Sequence, residues 1–197
     1  TFEPYTVHPA NFTEAYTQNK LDMAFGSFPS SALQSHKNFR LTAPLTRSSL
    51  YLYAKPDAKL EQETLFTLAV PASIYNAAEY ASRTFPNAVI KLFSDEEACL
   101  TATGRREANA ILGNSMVLNN LTSSPRFSEF NPVTSYSDVE EARLTIRPGL
   151  PDMLLGILNN LLLTIDEKSR TQIISSNIAA AATSPTLADI VYENRSL

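Results

Sequence analysis

The chain has 197 residues and a formal net charge of −4, with 44% apolar and 18% charged side chains. That length suits one domain or two small lobes, and that composition builds a core rather than a disordered coil. Acidity argues against nucleic acid as a partner, one cysteine and two histidines leave no disulfide framework or zinc site, and no apolar run approaches the roughly 20 residues of a bilayer span.

Phe2–Val7 reads as a strand, and Asn11 can cap a helix reaching about Asn19. Leu21–Phe25 is a strand closed by Gly26, and Ser48–Ala54 an alternating, aromatic-rich one. Phe66–Val70 is a strand followed by a helix over Ala72–Arg83, and Val89–Phe93 a further strand. Ser94 with Glu97 forms a capping box for a helix to about Thr103. Ala108–Leu112 is a strand, with a helix from about Asn114; Glu141–Ile146 is the last strand. Pro151–Ile165 is a strongly apolar helix, and Asp166–Ile178 and Thr186–Tyr192 close the chain. Short apolar runs alternating with helical patterns predict an α/β architecture with parallel strands.

The five glycines form no phosphate-cradling loop and no nucleophile elbow, so no cofactor is expected. Glu96–Glu97 and Glu140–Glu141 are paired carboxylates, but adjacent residues point to different faces, and they read as solvated surface. No spacing supports a triad of Ser73, His8 and Asp22, so the chain is expected not to be an enzyme.

Phe12–Gly26 and Asp95–Gly113 share an order of helix with Glu-Ala, basic turn, strand and glycine, about 83 residues apart. Either two similar β-α-β lobes or two generic β-α-β units would produce it. The first reading puts lobe one at residues 1–47 and 148–197, lobe two at 66–137, and extended hinge strands at 48–55 and 140–147. Open sheets bind ligands beyond their strand ends, which here carry Gly26-Ser27, Pro71-Ala72-Ser73 and Gly113-Asn114-Ser115. Ser73 and Asn114 there are either ligand groups or plain helix caps. With aromatic walls added, a ligand between the lobes would touch Ser27, Phe28, Tyr51, Ser73 and Asn114.

The order of these segments resembles the type II periplasmic solute-binding proteins of the polar amino acid-binding class. Asn19-Lys-Leu-Asp-Met-Ala-Phe-Gly26 is similar to that family's basic turn and "Asp-hydrophobic" strand. Leu41-Thr-Ala-Pro-Leu45, Leu68-Ala-Val-Pro-Ala-Ser73, Ile90–Ala98 and Leu144–Gly149 resemble successive later segments. The resemblance implies a bilobed α/β fold of two β-α-β lobes joined by two hinge strands.

It also implies a ligand clamp, and here the chain departs. The arginine that would hold a ligand carboxylate falls at Ser35 or near Leu33, with only His36 and Lys37 close by. The acid that would receive the ammonium falls at Asn114. Tight binding of standard amino acids is therefore not expected; the ligand is neutral or unusual, or there is none. A transport receptor needs a working clamp, whereas a sensor can signal through lobe closure without one. The resemblance thus implies an extracellular solute-sensing domain of a membrane signalling protein, a histidine kinase or cyclase, on the extracellular or periplasmic face. Its partners would be a small-molecule solute, the remainder of that protein and a possible homodimer copy. The alternatives are the cytoplasmic effector-binding domain of a LysR-type regulator and a free transporter-associated receptor.

Overall fold

The computed structural model describes residues 20–29, 40–58, 65–74, 76–166 and 168–170, with 3, 14, 15, 18, 60, 172 and 173. The expected strand Phe2–Val7, the helix Thr186–Tyr192, most of the helix from Asn11, and Leu33, Ser35, His36 and Lys37 lie outside them.

The strands are β1 (Met23–Pro29), β2 (Arg40–Leu41), β3 (Thr46–Ala54), β4 (Phe66–Pro71), β5 (Ala88–Phe93), β6 (Ala110–Asn114) and β7 (Asn131–Ile146). The helices are α1 (Ala77–Thr84), α2 (Glu96–Gly104), α3 (Ser115–Thr122) and α4 (Asp152–Leu163). One sheet runs β1-β7-β3-β6-β4-β5, with β2 also on β7. Only β4 pairs in parallel, with β5 and β6; the β1–β7, β2–β7, β3–β6 and β3–β7 pairs are antiparallel. The expectation of parallel strands is thereby corrected. Among the described strands, parallel pairing is confined to the β-α-β run, while β3 and β7 carry the chain between two lobes in opposite directions.

Alternation along the strands sorts side chains onto two faces. Leu52, Leu68, Val70 and Leu112 pack with Tyr80 and Ala81 of α1. Tyr53, Ala69 and Ile111 pack instead with Cys99 and Leu100 of α2 and Leu118 of α3. Helices on both faces of β3, β6 and β4 make this the larger lobe, with each fully buried apolar side chain contributing about 1.5–3 kcal/mol. The other lobe forms where β1 and β2 lie along the C-terminal half of β7. It is closed by Arg147, whose N–H donates to the Asp22 carbonyl at 2.9 Å and whose guanidinium meets the Asp22 carboxylate at 2.9 Å.

Two elements depart from their expected bounds. β7 has 16 residues rather than six, because residues 131–140, polar and carrying Pro132, become a strand only by pairing with β3. Its register jumps from Tyr51↔Ser137 to Leu52↔Val133, so the strand bulges there. α1 starts at Ala77 rather than Ala72, because Asn76 takes a left-handed conformation (φ 49°) that halts the helix N-terminally.

The capping box also shifts by one residue. Asp95, not Ser94, caps α2: its Oδ1 accepts from the Ala98 N–H at 2.8 Å, while the Ser94 hydroxyl merely donates to Asp95 Oδ2. Asp95→Ala should therefore cost about 1 kcal/mol in chemical denaturation, and Ser94→Ala a small fraction of that. Equal losses would restore Ser94 as the cap.

Candidate functional site

The site begins at Asn114, the last residue of β6 and the N-cap of α3. Its backbone is extended, and its Oδ1 accepts from the N–H groups of Met116 and Val117 at 3.0 and 3.5 Å. Its Nδ2 donates to Ser48 Oγ and to Glu140 Oε2, each at 2.6 Å. The amide thus spends both lone pairs and both hydrogens inside the chain. It ties β6 and α3 to β3 and β7, the two strands that pass between the lobes.

Glu140 is 3% exposed and stands in register between Pro29 of β1 and Ser48 of β3. Glu96, at the start of α2, approaches from the other side: a Cβ on Gly113 would lie 3.1 Å from its Cγ and 3.0 Å from Leu118. Any larger residue at Gly113 would make Glu96 or Leu118 shift by a few tenths of an ångström. Burial raises the Glu96 pKa, backbone N–H groups of Glu96 and Asn114 oppose the shift, and the Glu140 carboxylate adds to it.

Glu141 faces the opposite side of β7 and is 7% exposed. Arg47 Nε donates to its Oε1 at 2.9 Å, and the Arg143 guanidinium holds its Oε2. Burial pushes its pKa up, but the hydrogen bonds from Arg47 and Arg143 outweigh that, so it is lowered.

The expectation that both glutamate pairs are solvated is thereby corrected for Glu96, Glu140 and Glu141, while Glu97 is exposed. Glu140 and Glu141 do point to different faces, as adjacent strand residues must, but one meets the Asn114 amide and the other Arg47 and Arg143. Sequence reasoning passes over Ser48 and takes Glu96 and Glu140 for surface acids, whose one signal is that each belongs to a double acid.

The five expected ligand residues fall into two sets. Phe28 of β1 is 1% exposed, and its ring lies 3.0 Å from where a Gly26 Cβ would stand, so it is wall rather than contact surface. Ser27 pairs with Ala142 of β7. Across β7 and β3, Tyr51 is half-buried and pairs with Gly113, one residue before Asn114. Ser73 is exposed in the turn after β4. Register thus brings Tyr51 and Asn114 together and sets Ser27 and Phe28 on the far side of the two crossing strands.

Cavities of about 420 and 210 Å³ lie elsewhere, the first along α2 and β5, the second where β3 begins, and neither is lined by the five residues. The stretch 30–39, which holds the expected clamp positions, lies outside the described residues.

No protein-family model and no curated protein sequence matches the chain. Solved structures do. The substrate-binding protein of an amino acid ABC transporter superposes with TM-score 0.69 at 13% identity, over 88% of this chain and 78% of that one. The Bordetella pertussis BvgS periplasmic VFT2 domain gives 0.63 at 18%, over 85% and 72%. The Streptococcus pneumoniae substrate-binding protein AbpA, solved bound to L-arginine, gives 0.68 at 11%, over 91% and 77%.

The chain has the bilobed type II periplasmic-binding-protein fold. At these identities the likeness shows the fold alone. Among the described residues of this type II fold, no helix is long and apolar enough to cross a membrane.

Glu96 adds a pH-dependent contribution to stability. Its folded pKa lies above its ordinary value of 4.5. Its stabilising contribution is therefore complete below about pH 4.5 and is lost as pH rises through the folded value. Glu96→Gln should leave stability unchanged at low pH and raise it at pH 7, read as the urea midpoint against pH. An equal effect at both ends would remove the carboxylate from the account.

Proposed function

We propose that this chain is the extracellular solute-sensing domain of a membrane signalling protein, a histidine kinase or cyclase, and that it is not an enzyme. The observation that carries the reading is the state of Asn114. The position where amino acid receptors of this fold are expected to present an acid holds an amide fully engaged with Ser48, Glu140 and the α3 N-terminus. That position then offers no charge for a ligand ammonium. The pairing instead couples the cleft wall to both crossing strands, which suits a domain whose output is lobe closure. The likeness to the BvgS VFT2 domain favours a sensor, and the likeness to transporter receptors supports solute binding in general.

Lobe one is assigned residues 1–47 and 148–197, lobe two 66–137, and the hinges 48–55 and 140–147. The ligand lies between the lobes among Ser27, Phe28, Tyr51, Ser73 and Asn114, with Tyr51 and Ser73 offering surface and Phe28 and Asn114 shaping the wall. A ligand shifts the open–closed balance by its differential affinity for the two states.

The test is the native protein's location. Antibody against this domain should detect a species well above 21.7 kDa in the membrane fraction, with the epitope cleaved by protease added outside intact spheroplasts. Recovery in osmotic-shock fluid at about the chain's own mass would establish a free receptor instead. Recovery in the cytoplasm would establish the regulator domain.

A further inference from the structure

Among the described residues β5 is the last strand at its end of the sheet, with β4 on its one paired edge. That pairing fixes which way its peptide groups face. The Asn87 carbonyl accepts from the Phe66 N–H at 3.4 Å, and the Phe93 carbonyl from the Ala72 N–H at 2.8 Å. Odd-numbered residues therefore turn their peptide groups toward β4, and by alternation Ile90 and Leu92 turn theirs outward. Ala88 also lies on the outer side; its N–H goes to the Phe85 carbonyl at 3.0 Å, and its own carbonyl faces out.

The side chains along this edge are mostly apolar. Val89 and Leu92 are 54% and 50% exposed, and Ala88 and Ile90 are only partly covered by the cluster around α1. An edge with outward peptide groups and uncovered apolar side chains is a template for another strand. On the α2 face a cavity of about 420 Å³ runs beside β5, walled by Phe93, Ala98 and Ala102. Its two ends differ in charge. Asp95 stands at the start of α2 with Glu97, which Arg126 holds at 2.7 Å. Arg105 stands just past the end of α2 beside Glu107, whose carbonyl accepts from the Lys91 ammonium at 2.9 Å. One end is thus net negative and the other net positive.

We propose that β5 is the interaction surface for a second copy of this chain, which adds its own β5 antiparallel across a two-fold axis at Ile90. Such an axis reverses the charged ends, so the negative end of each cavity faces the positive end of the other. The two Ile90 residues exchange both peptide hydrogen bonds, and each Leu92 N–H meets the Ala88 carbonyl of the second copy. Ala88 then stands opposite Leu92 on the α1 face, and Val89 lies along the aliphatic stem of Lys91 on the α2 face. Lys91 selects this register. An axis at Lys91 would set two ammonium groups directly opposite, which is unfavourable, and an axis between Ile90 and Lys91 would pair side chains from opposite faces. The contact is one six-residue strand per copy, small among protein interfaces, so the dimer is weak and concentration-dependent. The pairing does not rest on the solute-sensing reading.

Sedimentation equilibrium of the wild-type protein up to about 1 mM, the range of weak contacts, should show monomer–dimer exchange. Over the same range the Ile90 and Leu92 amides should slow in hydrogen exchange by about twofold or more as the dimer fills. The Val89 and Lys91 amides, already paired to β4, should not change. Single-cysteine variants read the register. Val89 and Lys91 of the second copy form a non-hydrogen-bonded pair with Cα atoms about 4.5 Å apart, within the roughly 4.4–6.8 Å that a disulfide spans. A mixture of Val89→Cys and Lys91→Cys proteins should therefore cross-link on oxidation faster than either alone, and Cys99 is buried and does not compete. Four results would overturn the assignment. They are a monomer throughout, which leaves the edge to a different protein; edge amides protected equally at every concentration, as a segment of the same chain would protect them; a dimer that leaves Ile90 and Leu92 unchanged; and cross-linking of either variant alone as fast as the mixture.

Discussion

Asn114→Asp should destabilise the protein by about 3 kcal/mol at pH 7, since two carboxylates in contact raise one pKa by about 2 units and each unit is worth about 1.4 kcal/mol. The substitution keeps the oxygen that caps α3 and the shape of the side chain. What it removes is the Nδ2 that donates to Ser48 and to buried Glu140. One of the two acids must then hold a proton. The deficit should shrink as pH falls toward 4, where that proton is supplied without cost. The diagnostic variant combines Asn114→Asp with Glu140→Gln, which exchanges donor and acceptor across the same contact. It should recover most of the loss at pH 7. Urea denaturation of the three proteins across pH 4–8 reads both effects. A loss independent of pH and unrelieved by the second change would mean that Asn114 acts only as a helix cap.

Glu141→Ala should cost about 3 kcal/mol, the lower end of the about 3–5 kcal/mol typical when a buried ion pair loses one partner. Arg143 keeps only 17% of its side chain exposed, and its charge would be left without its carboxylate. Arg47 is 59% exposed and returns to water, which places the estimate at the lower end. Glu141's folded pKa lies below its ordinary value of 4.5. Its contribution is therefore present above about pH 4.5 and lost as pH falls through the folded value. Wild type should weaken on acidification in that window and Glu141→Ala should not, so the two denaturation midpoints converge at low pH. A constant gap down to pH 2 would assign the loss to packing rather than charge. Glu141 thus opposes Glu96, whose contribution disappears in the opposite direction.

The Asn114 amide is tied to both of the strands that pass between the lobes. Any rotation of one lobe on the other must pass through β3 and β7. Ser48 and Glu140 lie in register on those strands, and both are held by the amide that starts α3. A change at this contact is therefore felt in both lobes.

The larger lobe was readable from local pattern. β4, β5, α2 and α3 fall within one or two residues of where alternation and caps place them, because each is specified by contiguous residues. The family resemblance read from ordered weak segments reached the right fold, since the order of elements survives where identity has fallen below 20%. Residues 131–140 escaped, because their polar composition becomes a strand only when β3 supplies partners on one edge. Asn114 was visible as a cap or a ligand group. Choosing between those readings needed Glu140, 26 residues away, brought to 2.6 Å by the pairing of β3 with both β6 and β7. Burial of Glu140 and Glu141 likewise depends on the side chains that the assembled sheet brings to them, Ser48 and Asn114 for the one and Arg47 and Arg143 for the other. A local sequence pattern tells which face a side chain takes, and only the assembled sheet decides whether that face meets water.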